Sequence, residues 1–252
     1  MIFLVYYICK FFRFLFMSDK PANLEQQDSI SIITLDDGKA NVFSPTMIDA
    51  VNECLDNVPT ELGSLVIKGR DGIFSGGFDL KILQSGDNKL IKEMTLGGFK
   101  LLSRIFSIPR PVIAACSGHG IALGAFLLCC CDYRVGVKGE FMVGANEMRT
   151  NMVIPTPILE LIRFRVAQTH KYRAVLGAEM YNLDEAIGVG FIDETVEPVK
   201  LDERVMEKAK ELSEMGHPSY TMTKELFIKD THEAIENYIS KLDPDTEALK
   251  SF

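Results

Sequence analysis

Two short glycine clusters carry the residues best suited to chemistry: IFSGGFDLK, residues 73–81, and SGHGIALGAF, residues 117–126. Each follows an apolar run that reads as a buried strand, so each falls at a strand's C-terminal end, where α/β folds collect their ligands. Glycine there lets backbone N–H groups approach a ligand with no Cβ in the way, and a helix that follows adds its positive end. Two such turns facing each other can give two donors to one developing oxyanion. Better-known uses of glycine do not fit. GHGIALG lacks the GxGxxG spacing of a dinucleotide site, neither cluster is a GxxxxGK phosphate loop, and Ser75 lacks the flanks of a nucleophile elbow. His119 is a base by type, but a lone histidine at a glycine-rich strand end reads first as a structural residue. His170, His217 and His232 share no spacing.

The elements that must position these clusters follow from periodicity. SISIITL, residues 29–35, reads as a strand, and DDGKAN after it as a turn. Ser44-Pro45 predicts a helix start, with a side-chain N-cap and proline in the first turn; Met47, Ile48, Val51 and Leu55 form its apolar stripe. A strand over 64–67, a helix over 91–106 that ends before Pro109 and Pro111, a strand over 111–116 and a small-residue helix through Cys131 follow. Strand and helix in alternation predict parallel strands joined by crossovers. From about Leu201 the chain reads as helical and charged, so we divide it into a core over 18–200 and a C-terminal helical segment over 201–252.

Composition narrows the classes. The chain has 252 residues, 47% hydrophobic and 25% charged, with a net charge of −8. That content fits a globular α/β protein, and the charge argues against a broad nucleic-acid or anionic-membrane surface. The six cysteines have no metal-ligand spacing, since Cys129, Cys130 and Cys131 are adjacent and the rest isolated. Buried thiols in a reducing, cytoplasmic setting are expected. Residues 1–17, MIFLVYYICKFFRFLFM, are apolar but interrupted by Lys10 and Arg13, and shorter than the ~20 residues that span a bilayer. An uncleaved anchor or a signal-like segment is one reading; a start codon assigned too early, with Met17 opening the chain, is the preferred one, and no membrane span is expected.

SLVIKGRDGIFSGGFDLKIL and RPVIAACSGHGIALGAFLLCCCDYRVG resemble the two signatures of the enoyl-CoA hydratase/isomerase (crotonase) superfamily, and LGAEMYNLDEAIGVGFIDETV is similar to the segment leading out of its core. The resemblance spans roughly residues 29–200. It implies a crotonase-like α/β spiral of repeated ββα units, a CoA thioester as substrate, no metal or redox cofactor, and a homotrimer or dimer of trimers. It further implies that the thioester oxygen receives the backbone N–H groups of Phe78 and Leu123, with Gly76, Gly77 and Gly124 giving the approach. Lys39 and the Ala40 backbone would meet the nucleotide end of CoA, with Lys81 a further phosphate contact.

The carboxylates decide the reaction. Family hydratases use two glutamates; the position of the first is Phe126 here, and a phenyl ring holds no water. The second falls in ANEMRTNMVIP, where Glu147 is the one acid. The next proline, Pro155, lies eight positions on, a spacing similar to that of monofunctional Δ3,Δ2-enoyl-CoA isomerases. One base suffices for that chemistry: Glu147 takes a proton from C2 and returns it to C4. Phe126, Met142 and Met148 are expected to surround the carboxyl and raise its pKa toward neutrality. A surface glutamate paired with Arg149 is the plainer alternative for Glu147. For the whole chain, hydration or another crotonase reaction is one alternative, and a non-catalytic acyl-CoA- or partner-binding protein is another.

Overall fold

The computed structural model describes residues 20–215 and 217–242; the apolar stretch over 1–17 lies outside them. A polar edge strand β1 (Ala22–Gln27) precedes four successive ββα units. The first unit is β2 (Ile30–Leu35), β3 (Val42–Phe43) and α1 (Pro45–Asp56). The second is β4 (Ser64–Lys68), β5 (Gly72–Ser75), β6 (Gly77–Phe78), a single turn α2 (Leu80–Leu83) and α3 (Asn88–Phe106). The third is β7 (Val112–Cys116), β8 (Gly118–Ile121) and α4 (Leu123–Cys130). The fourth is β9 (Tyr133–Val137), β10 (Met142–Gly144), a 3-10 turn over Glu147–Thr150 and α5 (Thr156–Arg165). Then come α6 (Lys171–Val175), β11 (Tyr181–Asn182), α7 (Glu185–Val189), β12 (Glu194–Val196), α8 (Leu201–Ser213) and α9 (Ser219–Leu242).

The first strand of each unit joins one sheet, in the order β1-β2-β4-β7-β9-β12, parallel except at the β1–β2 edge. The second strands of the later units form a separate layer, β11-β10-β8-β5, with β3 and β6 pairing beside it. This is the repeated ββα arrangement expected. The central strands of the main sheet are short apolar runs because both faces are covered: all of β7, VIAAC, is buried.

Capping residues set the helix starts. Ser44 Oγ accepts from Met47 N–H at 3.3 Å, as its sequence predicts. The α3 helix begins three residues before the expected Ile91, because the Asp87 carboxylate accepts from the amides of Lys89 and Leu90 at 3.1 and 3.0 Å.

The glycine clusters differ from expectation in one respect: they are strands as much as turns. Gly118 lies so close to the backbone of Gly72 that a Cβ would stand 2.0 Å from the Gly72 carbonyl carbon, and only glycine permits so close a pairing of β5 with β8.

At the C-terminus, α8 packs on β4, β7 and β9, and α9 packs on α3 and α5. A buried polar knot fixes α9 to the core. Lys224 Nζ donates to Asp132 Oδ2 at 2.6 Å and to the Arg110 carbonyl at 3.1 Å; Tyr220 Oη and the Val112 amide donate to the same Asp132 oxygen.

Candidate active site

The two glycine clusters meet. Gly77 has φ +93°, and a Cβ on it would lie 2.9 Å from the Ala122 methyl and 3.3 Å from the Leu123 nitrogen. A Cβ on Gly124 would lie 2.4 Å from the Ser75 carbonyl oxygen. Backbone from residues 75–78 and 122–124 is therefore in contact, and no side chain at Gly77 or Gly124 could be admitted without parting the clusters.

Local strain marks the second cluster. Ala122 caps α4 at φ 52°, ψ −121°, a conformation that costs a residue with a Cβ about 1–3 kcal/mol. Its side chain gives no cap, so the amides of the first turn of α4, beginning with Leu123, point outward without a helical acceptor. The helix itself is the buried apolar run LGAFLLCC, which seats these amides against the core.

Both clusters open on a cavity of about 190 Å³. Gly76, Phe78, Leu123, Phe126 and Glu147 all line it. Glu147 is the one acid among the described lining residues. It begins the 3-10 turn, is only 8% exposed, and its Oε2 is buried with no hydrogen-bond partner. Burial pushes its pKa up from 4.5 to about 7, because a carboxylate cut off from water is disfavoured against the neutral acid. The alternative, a surface pairing with Arg149, is not made: Arg149 Nε donates to the Ala178 carbonyl at 2.8 Å.

The apolar surroundings differ from those expected. Phe126 is there, buried at 2% exposure, but Met148 is 38% exposed and Met142 does not line the cavity. A 3-10 turn advances three residues per turn, so it carries Met148 off the face that Glu147 occupies. Met152, Ile154 and Ile158 stand in their place. Wall residues come from two stretches, Leu83, Thr95 and Phe99 on one side and Thr150 with Met152 to Pro155 on the other.

Ala40 touches the site through its backbone: its carbonyl accepts from the Gly76 amide at 2.8 Å. Lys39 and Lys81 are exposed and lie outside the cavity lining. His119 is structural. Its Nδ1 accepts from the Met142 amide at 3.1 Å and its ring packs edge to face on Phe141.

Asn41 and Ser75 organise the site without having been singled out for it. Asn41 is fully buried at φ 49°, and its Nδ2 donates to the carbonyls of Leu35 and Phe74 at 2.9 and 3.2 Å. Ser75 Oγ donates to the Asn41 carbonyl at 2.8 Å and accepts from the Gly77 amide at 3.1 Å. The available signal was an asparagine ending the DDGKAN turn, a residue type that tolerates positive φ. Asn146, beside Glu147 in the cavity lining, carried no such signal.

The family model for enoyl-CoA hydratase/isomerase matches residues 25–248, and the chain belongs to that family and has the crotonase fold. Two solved structures of one Mycobacterium tuberculosis protein are similar to it at 36% and 38% identity, with TM-scores of 0.83 and 0.84. They cover 93% and 88% of this chain and 100% and 94% of their own. That protein is described once as an enoyl-CoA isomerase and once as a probable enoyl-CoA hydratase. The peroxisomal enoyl-CoA delta isomerase 1 of Arabidopsis thaliana is 25% identical over 220 residues, covering 82% of this chain and 91% of its own.

Proposed function

We propose that the chain isomerises a 3-enoyl-CoA to a 2-enoyl-CoA, with Glu147 as the single acid-base group. The observation that carries this reading is the lone carboxyl in the cavity: Glu147, buried, unpartnered at Oε2 and with its pKa near neutrality, faces a lining in which Phe126 takes the place of a second acid. The Glu147 carboxylate removes a proton from C2. The amides of Phe78 and Leu123 hold the thioester oxygen as it becomes the dienolate oxygen, and the protonated carboxyl returns the proton to C4. Each such donor, held ready in a dry site, stabilises the developing charge by about 3 kcal/mol. A pKa close to working pH suits a group that must take and give the same proton.

Lys39 and Lys81, exposed near the cluster of residues 76–78, would take the phosphates of CoA, with the Ala40 backbone at its nucleotide end. The reaction needs no metal or redox group. Met222, Leu226 and Phe227 on α9 are 60–75% exposed, and such an apolar stripe supports assembly into a trimer or dimer of trimers.

Hydration is the second reading, because Asn146 and Thr150 also line the cavity and could hold a water beside Glu147. Replacement Glu147→Gln tests the primary reading. Turnover of 3-enoyl-CoA is expected to fall by at least about 10³-fold, a loss in the range of general acid-base catalysis, with acyl-CoA affinity unchanged in calorimetry. Activity within tenfold of wild type would remove Glu147 from its role.

A further inference from the structure

On its α3 side, the cavity wall is one aromatic ring with a threonine a turn before it. Thr95 and Phe99 stand four residues apart on one face of α3, and both line the cavity. Phe99 is 6% exposed. Its ring meets that of Phe78 edge to face at 6.2 Å, and that of Tyr238, from α9, edge to face at 6.4 Å. Both separations are contact distances for aromatic pairs. Phe78 already lies against α3: its ring packs on the bare Cα of Gly98, where a Cβ would stand 2.5 Å from it. The Phe99 ring is thus held between the Phe78 ring on one side and the C-terminal helix on the other. Apart from Glu147, the described lining residues carry no charge, so the chain stopped by this wall is an uncharged hydrocarbon.

We propose that Phe99, backed by Tyr238, is a specificity-determining residue that limits the length of the acyl chain the cavity accepts. The inference rests on the reading that the cavity takes the acyl part of a CoA thioester. Removing the ring, or the support behind it, opens the wall toward α9. Each methylene newly buried there strengthens binding about fourfold.

The test is calorimetric titration of wild type, Phe99→Leu, Tyr238→Ala and Tyr238→Phe with hexanoyl-CoA and dodecanoyl-CoA, each protein having first shown a cooperative melt. Saturated esters keep the readout independent of which reaction occurs. Phe99→Leu and Tyr238→Ala are expected to shift the ratio of dodecanoyl to hexanoyl affinity upward by fourfold or more, while Tyr238→Phe, which keeps the ring, retains the wild-type ratio. The two substitutions act on the wall from opposite sides, so either one that folds carries the test. An unchanged ratio in both variants overturns the wall while leaving the acyl cavity standing. Absence of binding by wild type to either ester overturns the reading of the cavity itself.

Discussion

Replacing Glu147 by glutamine should raise the stability of the variant relative to wild type progressively as pH rises, and the size of the effect follows from the site. The carboxyl titrates near 7 in the fold against 4.5 for an ordinary glutamate. The raised value means that the folded state holds the proton through a window in which the unfolded chain has released it. Stability from this group is therefore fully present below pH 4.5 and is lost as pH rises through 7, at up to 1.36 kcal/mol per pH unit. Over that window the loss amounts to about 3 kcal/mol. Glutamine cannot ionise, so it removes the loss while adding an offset that does not depend on pH. In a domain of this size, 1 kcal/mol moves Tm by about 2–4 °C, so the Tm difference between variant and wild type should grow by up to about 6–12 °C from pH 4.5 to pH 8.5. Scanning calorimetry of both proteins across that range measures it. Parallel Tm curves would refute the argument, because they would mean that Glu147 ionises in the fold as it does in water.

The same titration governs catalysis: kcat/KM for a 3-enoyl-CoA should rise through a midpoint near pH 7 and level off above it, since the free enzyme must present a carboxylate, and a midpoint near 4.5 would contradict the site's electrostatics. Gly124→Ala drives a methyl to within 2.4 Å of the Ser75 carbonyl; it should part the two clusters and reduce kcat by at least about 10²-fold, the loss typical of one oxyanion donor, as read by steady-state kinetics. Lys224→Met leaves the half-buried Asp132 with Tyr220, the Val112 amide and Arg165 Nη2 at 3.5 Å but without its 2.6 Å ammonium partner; the cost should reach about 2 kcal/mol in urea unfolding, the range of a hydrogen bond to a charged group, with the pH dependence of activity unmoved.

How much of this was legible in the sequence depended on what each residue's environment added. The main-sheet strands β4 and β7 could be read because burial on both faces demands continuous apolar runs, and β2 because SISIITL alternates at its start. Helix α1 could be read because Ser44-Pro45 is a local start signal. The edge strand β1 was missed, since ANLEQQ has one exposed edge and mostly exposed side chains, so its sequence carries no strand pattern. The strands within the glycine clusters were missed for another reason: they are two to four residues long and exist by pairing with one another, which no local pattern encodes. At the site, Gly77 and Gly124 declared a close approach, but what approached was the other cluster. Glu147 was identifiable as a candidate by motif position; its isolation from Arg149 and the outward turn of Met148 depended on the 3-10 geometry. Asn41 and Ser75, which brace the first cluster, act through side chain to backbone bonds between segments more than thirty residues apart.

The central claim, one carboxyl shifting a double bond without adding water, is tested most directly by following the absorbance of the conjugated enoyl thioester. Purified protein is mixed with 3-hexenoyl-CoA in one cuvette and with crotonyl-CoA in another. The account predicts a rise with the first, as the double bond moves into conjugation, and no change with the second. A fall with crotonyl-CoA and no rise with 3-hexenoyl-CoA would contradict it, showing that the cavity activates water despite Phe126.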